Sequence, residues 1–254
     1  MREQPEQQAP PVQRLRLRYA KRGRLRFTSH RDFSRAFERA LVRARIPMAY
    51  SSGFNPHPRI SYAGAAPTGA ASEAEYVEIG LAREVDPAET LRLIDQALPP
   101  GLDVLEVVVS AGGSLADRLE ASHWRIRLPG VSAADAEAAV AAFLAAPEVP
   151  VERMTKKGLR SFDARGAVMR LRRAVDEAGD VAGNTPGTDE CAILDVVLRH
   201  GVPSVRPDDV LAGLREVSGS PLGELALFER LSQGPWDQQS GTVGDPLAPD
   251  RDAE

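Results

Sequence analysis

RLRLRYAKRGRLRFTSHRDFSRAFERALVRARIPMAYSSGFNPHPRISYAGAAP, residues 14–67, is the stretch whose reading decides the fold. Leu15, Leu17 and Tyr19 alternate with Arg14, Arg16 and Arg18, the period of a half-buried strand. KRG at 21–23 reads as a turn, after which Leu25 and Phe27 resume the alternation. Thr28 or Ser29 then offers an N-cap, with Asp32 in the first helical turn. Phe33, Ala36, Phe37, Ala40, Leu41 and Ala44 fall on one face of an amphipathic helix that Pro47 ends. Arg31, Arg35, Arg39 and Arg43 form a row at i, i+4 on another face. SSGFNPHP at 51–58 carries a glycine and two prolines, which forbid regular structure and stiffen the loop.

Between Arg14 and Arg45 there are twelve Lys or Arg against two acids, an excess of ten, in a chain whose formal net charge is −4. Such asymmetry points to a partner, because a fold alone does not need it. Like charges at i, i+4 repel by about 0.2–0.5 kcal/mol per pair, so four in a row imply an anion that meets them. Arginine's planar fork matches phosphate oxygens in pairs.

Moving outward, the 254 residues include a single cysteine, Cys191, which excludes an internal disulfide framework and a multi-cysteine metal or iron–sulfur site. In the apolar run CAILDVVL it reads as a buried small hydrophobe. No apolar run approaches the ~20 residues that span a bilayer, and MREQPEQQAPPVQ is no secretory signal, so a cytoplasmic chain is expected. Residues 1–13 read as a disordered tail.

Downstream, strand patterns at 60–66, 75–81 and 103–109 and a helix at 86–100 complete the order strand, helix, strand, strand, helix, strand. A connector at 111–122 follows. The same order starts again at 123: a strand, an Ala-rich helix at 132–146, one or two strands around a basic turn at 149–174, an acidic connection at 176–190, a strand at 191–200 and a helix at 206–219. The expected architecture is therefore α+β, with two tandem ferredoxin-like halves and antiparallel sheets, at 14–110 and 123–218. Residues 219–254 read as a polar, mostly disordered tail, with ELALFERLSQG at 224–234 a short element that is either strand or helix. Segment 68–122 holds eleven acids and three arginines, whereas 151–173 holds eight bases and two acids.

Candidate site residues follow from these patterns. Arg31, Arg35 and Arg39 would meet phosphates. Phe54 would stack on a base, with Asn55 and His57 hydrogen-bonding base edges, as single-stranded RNA is usually read. His57 is also a candidate general base, without a carboxylate near it in sequence. Glu73, Glu75 and Glu78 read as a solvated strand edge. In KKGLRSFDARG, Lys156, Lys157, Arg160 and Arg165 surround Asp163, a field that favours its ionised form. These bases would hold an anion, and Asp163 would orient it or act as a nucleophile. Phosphate-loop, dinucleotide-binding, GxSxG, HExxH and CxxxCxxC signatures are absent, and no cofactor is expected.

FTSHRDFSRAFERALVRARIPMAYSSGFNPHPRISYAGAAPTG resembles the N-terminal signature of the radical-SAM-linked proteins, a bacterial domain family of unknown function, and KKGLRSFDAR resembles its second signature. The resemblance covers about residues 15–215. It implies association with a radical SAM enzyme of the B12-binding type, with an E/G-type ribonuclease and ribosomal proteins as frequent genomic neighbours. The chain lacks the three-cysteine motif of the radical enzyme and resembles the stand-alone linked partner. The expectation is an accessory protein that presents ribosomal or transfer RNA to a radical SAM enzyme for modification. The alternative is an RNA-modifying enzyme of pseudouridine-synthase-like architecture, with Asp163 in a basic cleft. A third class, a protein adaptor, would use the acidic 68–122 face instead.

Overall fold

The computed structural model describes residues 7–155, 158–174, 191–220, 222–223 and 225–253. The protein is a mixed α+β chain of two compact units: Met1–Leu119 with Asp245–Glu254, and Glu120–Gly244. Expectations for residues 1–6, for Lys156 and Lys157 and for the acidic connection at 176–190 lie outside the described residues.

In the first unit β1 (Gln13–Lys21) is followed by a 3-10 turn, α1 (His30–Arg43), β2 (Ile60–Ala63), β3 (Ala71–Leu81), α2 (Pro87–Ala97) and β4 (Leu102–Val109). β1 lies between β4 and β3, and β2 pairs with β3 on the other side, every pairing antiparallel. The period-two reading of β1 gives Leu15 opposite Ile79 and Leu17 opposite Val77, and these residues are packed with Phe33, Phe37, Leu41 and Ile94 of the two helices. The alternation expected at Leu25 and Phe27 is instead a 3-10 turn, Gly23–Phe27, closed by Leu25 N–H on the Arg22 carbonyl at 3.0 Å. Gly23 sits at φ +53°, where a glycine turns the chain without steric cost.

α1 begins where the sequence places it. Ser29 Oγ accepts from Asp32 N–H at 3.2 Å and donates to the Asp32 carboxylate at 2.6 Å. It ends before Pro47: Ile46 N–H reaches the Leu41 carbonyl at 3.0 Å and Arg45 N–H the Val42 carbonyl at 3.1 Å, with Arg45 at φ +53°. That pattern of a left-handed residue and two reversed bonds satisfies the last helical carbonyls.

In the second unit β5 (Ala121–Pro129), α3 (Ala133–Ala145), the hairpin β6 (Pro150–Thr155) and β7 (Gly158–Asp163), β8 (Val168–Ala174), β9 (Cys191–Arg199), α4 (Pro207–Ser218) and β10 (Leu227–Gly234) follow in turn. The sheet runs β10-β5-β9-β8, again antiparallel throughout, while among the described residues β6 and β7 pair only with each other. The described residues of 149–174 thus hold three strands rather than one or two.

The stretch expected to be a mostly disordered tail is structured instead. β10 supplies the strand that pairs with β5 from Ala121 to Arg127. A short hairpin of β11 (Trp236–Asp237) and β12 (Thr242–Val243) follows, and Ala248–Arg251 forms a last helical turn in the first unit. Leu247 is fully buried there with Leu115, Leu119, Tyr76 and Val108. Local composition misjudged this segment because its partners lie as far as 234 residues away, as for Arg16 and Asp250.

Candidate nucleic-acid interface

Most of the basic N-terminal run separates into two groups, with Arg24 and Arg45 exposed outside both. Along β1 each arginine has a carboxylate. Arg14 reaches Glu78 at 3.0 Å, and Arg18 lies 4.0 Å from Glu106. Arg22 bonds Glu73 and, at 2.8 Å, Asp103. Arg16, 0% exposed, donates to Glu78 at 2.9 Å, to both Asp250 oxygens at 2.9 and 3.0 Å, and to the carbonyls of Gly112 and Gly113 at 3.0 and 2.6 Å. Asp250 also accepts from Ala111 N–H and Arg118. Burial pushes the Asp250 carboxyl up, but the Ala111 amide and the Arg16 and Arg118 guanidinium groups outweigh it and hold the group below its ordinary value. Lys21 and Arg26 reach backbone carbonyls at 66–69. These bases hold the fold together.

Apart from Asp250, the acids responsible come from the acidic segment at 68–122. Glu73 and Glu78 are paired, and Glu75 is buried, accepting from Ala66 N–H at 3.2 Å. They are not the solvated strand edge expected from their pattern.

On α1 the arrangement is the reverse. Arg31, Arg35, Arg39 and Arg43 are all exposed. Among the described residues none of the four has an ion pair or a hydrogen-bonded side-chain partner. Their row is set by the opposite face of the helix. Phe33 stacks on Tyr19 with ring centroids 4.4 Å apart, Phe37 follows at 5.6 Å from Phe33, and Tyr62 of β2 meets both edge-on. Rotation of α1 about its axis would break these contacts, so the arginine row is held outward by the core.

The 51–58 loop is closed at its base. Ser51 N–H donates to the His57 carbonyl at 2.8 Å, and Ser51 Oγ accepts from His57 N–H at 3.0 Å. Gly53 stands at φ +129°, a conformation that side chains resist. Phe54, 70% exposed, and Asn55, Pro56 and His57 project from this loop into solvent. An exposed phenylalanine on a pinned loop can stack a planar ligand with little ordering cost. Among the described residues no carboxylate orients His57.

The second-signature residues behave differently. Asp163, at the end of β7, accepts from the N–H groups of Val149 at 2.8 Å, Arg165 at 2.9 Å and Gly166 at 2.8 Å. Its carboxylate shapes the turn into β8, and Gly166 has no room for a Cβ, which would lie 2.7 Å from Asp163 Oδ2. Arg165 turns to the Val168 carbonyl at 3.4 Å, and Arg160 is exposed. Neither forms an ion pair with Asp163. Cys191, expected to be buried, is exposed.

Pattern reading missed two groups. His30 sits edge-on to Tyr62 with ring centroids 4.8 Å apart, and burial pushes the Tyr62 phenol up, the Ser34 hydroxyl offsetting this only in part and Glu38 adding to it. In the second unit His123 Nε2 lies 2.8 Å from Asp195 Oδ2, and Arg170 and Arg172 reach the same carboxylate at 3.2 and 3.9 Å. Neither group has a spacing signal, because each is assembled across elements from residues up to 72 apart.

No helix among the described residues is long and apolar enough to cross a membrane. Comparison with curated proteins finds no match. A family model described as "Uncharacterized protein conserved in bacteria (DUF2344)" matches residues 14–207, a span that takes in α1, the pinned loop and Asp163. The chain therefore belongs to that bacterial family, DUF2344.

Proposed function

We propose that this protein binds RNA through the outward row of α1 and the adjoining 51–58 loop, and that it presents the RNA to a radical SAM enzyme in the cytoplasm. The observation that carries the RNA reading is the contrast within one basic run: the strand arginines are neutralised by the chain's own carboxylates, whereas Arg31, Arg35, Arg39 and Arg43 are exposed and unpaired among the described residues. Four like charges held at i, i+4 cost stability unless an anion meets them. Phe54 adds a stacking platform and Asn55 and His57 add polar groups for base edges. The radical SAM partner rests on the resemblance of the two signatures alone.

The same proposal takes each unit as a ferredoxin-like half. The strand orders β4-β1-β3-β2 and β10-β5-β9-β8 support it, with β6–β7 as an insertion in the second half.

The catalytic alternative has less support. A nucleophilic Asp163 would need free lone pairs, and its oxygens already accept three backbone N–H groups. The adaptor alternative has less support, because four of the eleven acids of 68–122, Glu73, Glu78, Asp103 and Glu106, are engaged with arginines of the same unit.

Fluorescence anisotropy with a labelled single-stranded RNA at two salt concentrations tests the reading. If about four α1 arginines meet phosphates, log K falls with log salt at a slope near −3, about 0.7 per contact. R35E/R39E should abolish most of the binding. Absence of binding at low salt, or binding unchanged in that variant, would falsify the proposal.

A further inference from the structure

The second unit carries a charged face that the α1 reading does not use. Arg173 of β8 ion-pairs with Glu137 of α3 at 2.5 Å, so it points to the helix side of the sheet. By the alternation of a strand, Arg172 points to the other side. In the register of the sheet Arg125 of β5 and Arg172 of β8 stand directly opposite Asp195 of β9, one on each flank. His123 and Arg170 stand opposite Val197, two residues along on the same face. Neighbouring strands lie about 4.8 Å apart, so the Cα atoms of Arg125 and Arg172 are roughly 10 Å apart, within reach of one shared ion between two arginine side chains.

The charges on this face do not balance. Asp195 is 14% exposed and bonds His123 and Arg170 directly, with Arg172 at 3.9 Å. Arg172 is 65% exposed and turns most of its fork to solvent. Arg125 has no ion pair among the described residues. Glu229 lies opposite Arg125 on β10 but forms no ion pair among the described residues. Arg170 donates to the Gly241 carbonyl at 2.8 Å, which sets the β11–β12 turn beside the cluster, and its buried Nε has no partner among the described residues. Burial pushes the Asp195 carboxyl up, but the His123 hydrogen bond and the charges of His123, Arg170 and Arg172 outweigh it and hold it below its ordinary value. Asp195 is thus a fixed anion that positions cations without neutralising all of them.

We infer that this face of the β10-β5-β9-β8 sheet is a phosphate-binding site in which Arg125 and Arg172 take the phosphate oxygens, His123 and Arg170 border them, and Asp195 is a positioning residue. Two arginine forks flanking one point suit the bidentate geometry of phosphate better than that of a monovalent halide. The phosphate can be the terminal group of a nucleotide or the internal diester of a strand, and the chemistry recognised is the same. The site does not rest on the α1 arginines.

Calorimetry on the full chain tests it, with three probes at low salt: inorganic phosphate, a 5′-mononucleotide, and an RNA pentamer without terminal phosphate. The expected result is that R125A/R172A weakens the best-bound probe tenfold or more, and that R125K/R172K, which keeps the charge and loses the fork, weakens it by an intermediate factor. His123 ring resonances should shift on addition of the probe to the unsubstituted protein. R35A/R39A should leave the affinity for mononucleotide within twofold, which separates this site from the α1 interface. In the R35A/R39A protein, where the α1 interface is weakened, a mononucleotide that outbinds the pentamer assigns a phosphomonoester, and the reverse order assigns a diester. The inference is overturned if none of the three probes binds, or if R125A/R172A and R125K/R172K both bind as the unsubstituted protein does.

Discussion

Arginine recurs every second residue along β1 and every fourth along α1, and the two rows have opposite fates. Arg14, Arg16 and Arg18 each meet a carboxylate, from Glu78, Glu106 or the returning C-terminal segment, and Arg16 is fully buried among them. Arg31, Arg35, Arg39 and Arg43, in the same stretch of sequence, meet none among the described residues. Linear charge density therefore overstates the unpaired positive charge of this stretch, which lies mainly on one helix face, with Arg24 and Arg45 also exposed. The sheet of the second unit extends the contrast. There Arg125 and Arg172 flank a single half-buried carboxylate, with no returning segment of acids to neutralise them among the described residues.

Arg16→Ala should give the largest effect on the fold. It removes the partner shared by Glu78 and Asp250 and leaves Asp250, fully buried, with Arg118 as its remaining cation. Breaking a buried pair from one side costs about 3–5 kcal/mol, to be read from chemical denaturation. A loss under about 1 kcal/mol would erase the distinction between the two rows.

Acidification probes the same network. Asp250 titrates lower folded than unfolded, so its contribution is present above the ordinary carboxylate value near ~4 and is lost as pH falls through the folded value. Stability of the unsubstituted protein should fall in that acid window. Asp250→Asn should be less stable at neutral pH and should show a shallower acid dependence, and equal slopes would contradict the assignment.

Asp163→Ala should cost about 1–3 kcal/mol, since three backbone N–H groups lose their acceptor. Asp163→Asn, which keeps one acceptor oxygen, should recover part of that loss. A variant that is fully stable but functionally dead would return Asp163 to the catalytic reading.

The smallest effect on the fold belongs to the helix row. Arg35→Ala with Arg39→Ala should change stability by no more than about 0.5 kcal/mol, in the stabilising direction where repulsion is relieved. The same change should reduce the salt slope of RNA binding by roughly 0.7–0.9 for each phosphate that no longer meets an arginine. A marked destabilisation would show these arginines to be structural after all.

Much of the first unit could be read from the sequence, for a local reason. Leu15, Leu17 and Tyr19 repeat at the strand period, and Phe33, Phe37, Ala40 and Leu41 at the helix period, so each element's buried face is written within a dozen residues. Ser29 as cap of α1 and Ser132 as cap of α3 were equally legible, because a cap binds an amide three residues away. The hairpin β6–β7 and the strand β10 were not. Their sequences, PVERMT, GLRSFD and LFERLSQG, are amphipathic only once a partner strand is specified. Within the candidate interface the arginine row and the exposure of Phe54, Asn55 and His57 followed from helix spacing and loop composition. Asp163 as a turn-former did not, since its amide partner at Val149 lies 14 residues back in the chain, before β6.

By itself the sequence determined where the helices of the first unit begin, which faces they bury and where positive charge is concentrated. These properties arise from contacts between near neighbours in the chain. Which of those charges remain available was decided only by the tertiary structure. Glu78 reaches Arg16 from 62 residues away and Asp250 from 234, and Asp195 gathers His123, Arg170 and Arg172 from two other strands. Charge pairing acts through space over a few ångströms, so it is set by strand register and chain return, which no local pattern encodes.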